Sequence, residues 1–148
     1  MIRLEISGLP PSSNNAYVNN GFGGRTLSKD GRKFLNETKA HFAQRYPLEM
    51  RIFKPNVPYG IAIVFYFTDL ENAGFAAGKA KSRYKKADGG NRTKLLEDAL
   101  KEAGGVDDSQ TLISVWEKRQ GTEERTVIFV WALEEESSPF YELLKKYE

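Results

Sequence analysis

The sequence has no cysteine and a single histidine, His41. The first absence excludes disulfides, thiolate zinc sites and cysteine nucleophiles. The second excludes a histidine-rich metal centre and any histidine-dependent triad built within one chain; on a helix beside Phe42, His41 reads as structural. No stretch approaches the ~20 consecutive apolar residues needed to span a bilayer. Met1-Ile2-Arg3-Leu4-Glu5 also lacks the apolar core of a signal peptide. The expectation is no membrane partner and a fit to a reducing cytoplasm. Charge imbalance is small, with 22 Lys and Arg against 20 Asp and Glu for a net charge of +2, so total charge says little about a polyanionic partner. Internal repeats and low-complexity segments are missing. Gly21 to Gly24 is wrongly spaced for a dinucleotide fingerprint and Gly89 to Lys94 lacks the Walker spacing, which sets nucleotide-binding classes aside.

What is present is ordinary for a globular chain: 148 residues, 40% hydrophobic and 28% charged. That length fits one domain, residues 1–148, able to bury a sizeable core. Ile2, Leu4 and Ile6 alternate with polar residues as in a half-buried strand. Residues 8 to 26, rich in Pro, Ser, Asn and Gly, read as a long loop, with Asn14, Tyr17 and Arg25 as candidate DNA contacts. Turn chemistry or ordinary packing explains these three equally well. Residues 30 to 46 have helical spacing, with Asp30 able to cap them and Pro47 ending them. Tyr59 to Thr68 is apolar on both faces and predicts a central strand. Asp69 to Gly78 has no clear period and reads as an insertion. Thr111 to Arg119 and Arg125 to Leu133 read as two strands of a hairpin joined across Gly121, anchored by Trp116 and Trp131. Ser138-Pro139 predicts a short C-terminal helix through Tyr147. The expected fold is α/β of the α+β type, a single domain with a mixed sheet flanked by helices.

The chemistry concentrates between Lys79 and Gln110. Lys79, Lys81, Arg83, Lys85 and Lys86 put five cations into eight positions, with Tyr84 among them. Such a cluster is a footprint of phosphate binding, although a solvated lysine-rich loop has the same composition. Leu95, Leu96, Ala99, Leu100 and Ala103 then form one helical stripe over residues 92 to 103, and Gly104-Gly105 stops it. On the opposite face Asn91, Lys94 and Asp98 form a line beginning beside Asp88. Asp107 and Asp108 follow the stop, so a chain that turns back could bring two acids together. Carboxylates suit Mg²⁺, a hard cation that keeps several waters when one or two acids hold it, and a lysine among them stabilises charge developing at a phosphate. By spacing alone, an ordinary charged exterior is the more frequent meaning of this pattern.

The string Asp88-x-x-Asn91-x-x-Lys94-x-x-x-Asp98-Ala99-Leu100, then Gly105-Val106-Asp107-Asp108-Ser109-Gln110 and Lys118, resembles the central motif of RusA-type Holliday junction resolvases. Leu9-Pro10-Pro11-Ser12-x-Asn14-x-x-Tyr17 is similar to that family's opening segment. The resemblance implies a small α/β endodeoxyribonuclease acting as a homodimer on four-way DNA junctions, with Mg²⁺ or substitute Mn²⁺. It also implies a bacterial, prophage or phage origin. It makes Asp88 and Asp108 metal-binding catalytic acids and Lys94 the catalytic lysine, with Asn91 and Asp98 in support. DNA contacts would come from Asn14, Tyr17, Arg25, Arg83, Lys85, Lys86, Asn91, Arg92 and Lys118. The family pattern has an acid two positions after the first, where this chain has Gly90. Either Asp107, Asp98, Asp69 or Glu71 completes the site, or activity is weakened, or the chain binds junctions without cutting them.

Overall fold

The computed structural model describes residues 1–21, 23–85 and 89–133, apart from the side chains of Ser13, Asn91 and Asp108. The C-terminal helix expected from Ser138 lies outside them.

The chain is organised by the strand β4 (Tyr59–Phe67), in which seven of nine residues are buried. A strand apolar on both faces must have neighbours along both edges. Those neighbours are β5 (Thr111–Gln120), parallel to it, and β6 (Arg125–Ala132), antiparallel; β1 (Ile2–Ser7) pairs with the far side of β6 and completes the sheet order β1-β6-β4-β5. The hairpin expected of the last two strands therefore does not form. Gln120 to Glu124 carries the chain across the end of β4, because pairing each strand with the buried centre satisfies more apolar side chains than pairing them with each other.

Parallel pairing of β4 with β5 demands a long crossover, and residues 68–110 supply it. The crossover includes α3 (Gly90–Gly104), which buries Leu95, Leu96, Ala99 and Leu100. It packs beside α2 (Lys29–Arg45), and both cover the sheet face formed by Leu4, Ile6, Ile61, Ile63, Phe65, Ile128 and Val130. An exposed ion pair, Lys39 to Glu102 at 3.0 Å, joins the two helices. The cap of α2 is Ser28, whose hydroxyl accepts from the Gly31 N–H at 3.0 Å, and not Asp30, which falls in the first turn. Both residues are good caps; the hydroxyl one position before the helix has the correct reach. His41 is structural, its Nε2 donating to the Glu5 carbonyl at 3.0 Å and its ring edge-on to Tyr46.

Of residues 8 to 26, the described ones are more ordered than their composition predicts. They hold a single turn, α1 (Ser13–Ala16), and a small antiparallel pair, β2 (Tyr17–Asn19) with β3 (Arg25–Leu27). α2 crosses α1 at Gly31, where a Cβ would stand 2.3 Å from the Ala16 carbonyl oxygen. The insertion after β4 is also paired: Glu71 bridges Tyr84, the Asn72 N–H donates to the Arg83 carbonyl and the Lys85 N–H to the Leu70 carbonyl, both at 2.8 Å. Residues 69–85 thus form an arm folded back on itself.

Of the two tryptophans expected to anchor packing, Trp131 is buried and Trp116, on the edge strand, is 44% exposed. A Cβ on Gly60 would lie 2.3 Å from the Trp131 ring. Gly60→Ala therefore forces a buried indole to move, at a cost of about 1–3 kcal/mol. Urea unfolding followed by tryptophan fluorescence checks this, and an unchanged midpoint would contradict it.

Candidate active site

The two ends of α3 carry the motif residues. At the first, Gly89 caps the helix in αR geometry without a side-chain bond, and a Cβ there would meet the Trp116 ring at 2.6 Å. Trp116 thus sets how closely the helix start approaches β5, and any larger residue at 89 would have to push its ring aside. Asp88, which precedes Gly89 in the sequence, lies outside the described residues. Lys94 is exposed about one turn further on. Asn91 is on the same helix, its side chain outside the described set.

At the other end Gly105 takes φ 66° and its N–H donates to the Lys101 carbonyl. Gly104 lies against the Phe53 ring. The chain then enters a tight turn, Asp108–Gln110, tied down by the Gln110 amide donating to the carbonyls of Lys54 at 2.7 Å and Val57 at 3.0 Å. Asp107 accepts from the Ser109 N–H at 2.9 Å, and these Ser109 hydrogen bonds hold its carboxyl below the ordinary 3.8. Fifteen helical residues separate the two ends, about 22 Å at the α-helical rise. The turn after the helix is anchored near the start of β4 and does not come back along α3, while Asp88 and the Asp108 side chain lie outside the described residues.

The other candidates are spread over several places. Arg83, Lys85 and Lys118 gather where the arm meets β5. There Lys85 pairs with Asp69 at 2.9 Å, Arg83 with Glu71 at 3.4 Å, and Lys118 is partly buried. Arg92, by contrast, turns inward, its guanidinium donating to the Pro10 carbonyl and lying 5.6 Å from the Phe67 ring centre. The Tyr17 hydroxyl donates to Asp98 at 3.2 Å, and Asp98 also pairs with Lys101 at 3.3 Å. Asn14 on α1 and Arg25 on β3 are exposed, and Lys86 lies outside the described residues. The sequence reading gave Tyr84 no role of its own and took Trp116 for a core anchor. The signal for Trp116 was its strand: Glu117 and Arg119 alternate with Trp116 and Lys118, too polar for a strand buried on either side.

A family model described as Endodeoxyribonuclease RusA matches residues 8–131. The chain belongs to that family. The match runs from the end of β1 to the end of β6, and so takes in both ends of α3 and the arm. A comparison with curated proteins finds no match. RusA-family proteins are endodeoxyribonucleases that act on Holliday junctions, bind branched DNA and are generally dependent on a divalent metal. The mixed sheet with flanking helices agrees with the fold that the resemblance implied. Among the described residues no helix is long and apolar enough to cross a membrane, and no three acids or histidines cluster as a metal site.

The Tyr17 phenol is raised above its ordinary 10.0, first by burial and then by the Asp98 carboxylate. Its contribution to stability is thus complete below about pH 10 and lost as pH rises through the higher folded value. Tyr17→Phe should cost about 0.5–1 kcal/mol at pH 8, at the low end for a partly exposed bond. The difference from the unmodified chain should shrink at pH 11 in denaturant titrations; a difference that grows there would contradict the assignment.

Proposed function

We propose that the chain is a Mg²⁺-dependent resolvase, with Mn²⁺ as substitute, that makes paired symmetrical nicks in four-way junctions as a homodimer whose sites are each built from both protomers. The observation that carries this reading is the separation of about 22 Å across α3. One ion held by oxygens at 2.0–2.1 Å does not bridge that distance. In an isologous two-fold dimer the same patch meets its own copy in reverse. The start of α3 in one protomer can then lie beside the turn that follows α3 in the other. Asp88 would hold the ion together with the partner's Asp108.

The donor set fits such an ion. Mg²⁺ asks for only one or two carboxylates plus waters. The described acids near the two ends are already engaged: Asp107 with Ser109, Asp98 with Tyr17 and Lys101, Asp69 with Lys85, and Glu71 with Arg83. By the resemblance, Asp88 and Asp108 would hold the metal. When bound, the ion polarises a phosphoryl oxygen and makes water a stronger nucleophile. Lys94, exposed about one turn into α3, places its ammonium where charge develops on the scissile phosphate. The start of α3 carries no acid in its first turn, so the positive end of the helix dipole favours a phosphate there. Arg83, Lys85, Lys86 and Lys118 guide the backbone towards that end, Asn14, Tyr17 and Arg25 contact flanking DNA, and Arg92 positions the helix that bears the lysine. The family's bacterial and phage setting supports a cytoplasmic place of action.

Gly90 favours a second reading, a weakened enzyme or a junction binder, because Asp69 and Glu71, on the arm that precedes α3, are paired with cations and do not replace the missing acid. Gly90→Asp should then raise cleavage over the chain as given, measured on a synthetic four-way junction with Mg²⁺ or Mn²⁺.

The shared-site reading is tested by mixing variants. Asp88→Asn and Asp108→Asn should each bind the junction and fail to cut it. Mixed so that protomers exchange at random, they should recover roughly a quarter of the wild-type sites, as single unpaired nicks, because each heterodimer regains one intact site. A mixture as inactive as its components, beside a wild type that cuts, would overturn the shared site.

A further inference from the structure

Between the arm and β5 lies a cleft of about 350 Å³ lined by Leu70, Glu71, Tyr84, Lys118 and Gln120, within the size range of small-ligand sites. We infer that this cleft is a stacking site for a nucleobase exposed at the branch point, with Tyr84 as its platform. The inference rests on the DNA-cutting reading above and gives its substrate a second point of contact.

Tyr84 is 52% exposed although the arm holds its backbone in a bridge to Glu71. A ring fixed in place and half in water contributes little to packing; it is a surface prepared for something planar. The Arg83 guanidinium stands over one face of the ring, 5.2 Å from its centroid, which leaves the other face for a base. Stacking between bases and aromatic rings tolerates any sequence because every base has a π-face, and cations beside the ring hold the attached phosphates.

The walls are equally fixed. The Gln120 amide donates to the Thr68 carbonyl at 2.7 Å, while its oxygen accepts from the Glu71 N–H at 3.1 Å. This strand end and the arm are thus one body. Lys118 brings a cation into the cleft from the strand side, and Lys85 and Arg83 stand on the arm side. Buried Leu70 lines the cleft as well.

Position supplies the link to the chemistry. Lys118 and Trp116 point to the same face of β5, about 7 Å apart at the strand rise, and Trp116 lies against Gly89. The cleft is therefore about two base steps from the start of α3, which Asp88 precedes in the sequence. A continuous duplex covers every base face by stacking and offers none to such a cleft. A four-way junction, where stacking is interrupted at the branch point, does. Tyr84 would thus favour branched over continuous DNA, and the ion would cut nearby.

The test uses the full chain with Ca²⁺ in place of Mg²⁺ to suppress cutting. Its probes are a four-way junction carrying 2-aminopurine at the branch and a duplex of the same length. Wild type and Tyr84→Phe should bind the junction and quench the 2-aminopurine. Tyr84→Ala should bind it about 5- to 100-fold more weakly, leave the probe bright and keep its duplex affinity, with unchanged Trp131 fluorescence showing an intact fold. Equal junction affinity and equal quenching for Tyr84→Ala would overturn the stacking site, as would a wild type that binds the junction without quenching. A wild type that binds neither DNA would overturn the DNA reading as well.

Discussion

The structure depends on one strand's need for company. Tyr59–Phe67 presents apolar side chains to both sides, and each large one shielded from water contributes about 1.5–3 kcal/mol. That gain is available only when both edges are paired and the helical face is covered. Ile61, Ile63 and Phe65 meet Leu96 and Leu100 across the helical side. On the reverse face Ala62 and Val64 lie beside Val115, Val127 and Phe129. The final two strands are pulled apart to serve this centre, although only a short polar link joins them.

Making one of those pairings parallel has a further result. The chain must travel the length of the sheet before it can pair again, and nearly all the chemistry-bearing residues are found on that return. The arm leaves the end of β4, α3 runs back along the helical face, and β5 rises beside its partner. The cations of the arm, Lys94 and the two acids Asp88 and Asp108 are strung along one connection. Their spacing in space is a by-product of how far that connection has to go.

Much of this was legible in the sequence. Strict periodicity marked β1, β4, α2 and α3, because a residue that faces the core must recur with the element's own repeat. The stop at Gly104-Gly105 was equally plain. Partner choice was not: alternation in β5 and β6 says that they are strands, not beside whom they lie. Residues 8 to 26 looked irregular because their order comes from distant contacts, Arg92 to Pro10 and Tyr17 to Asp98. The distance between the two ends of α3 was in fact calculable, since fifteen helical residues have a fixed length. It was obscured by reading the glycine pair as a reversal when the chain instead docks through Gln110 at the foot of the sheet.

α3 behaves as a ruler. Residues 73–82 at the tip of the arm can gain or lose length without altering the distance between the helix ends. Within residues 90–104 the tolerance vanishes: one inserted residue advances everything beyond it by about 1.5 Å and swings it by about 100°. Lys94 and the turn bearing Asp108 would then no longer share a register, and the apolar stripe would leave the sheet. Length variation among chains built on this plan should therefore gather in the arm and spare the helix.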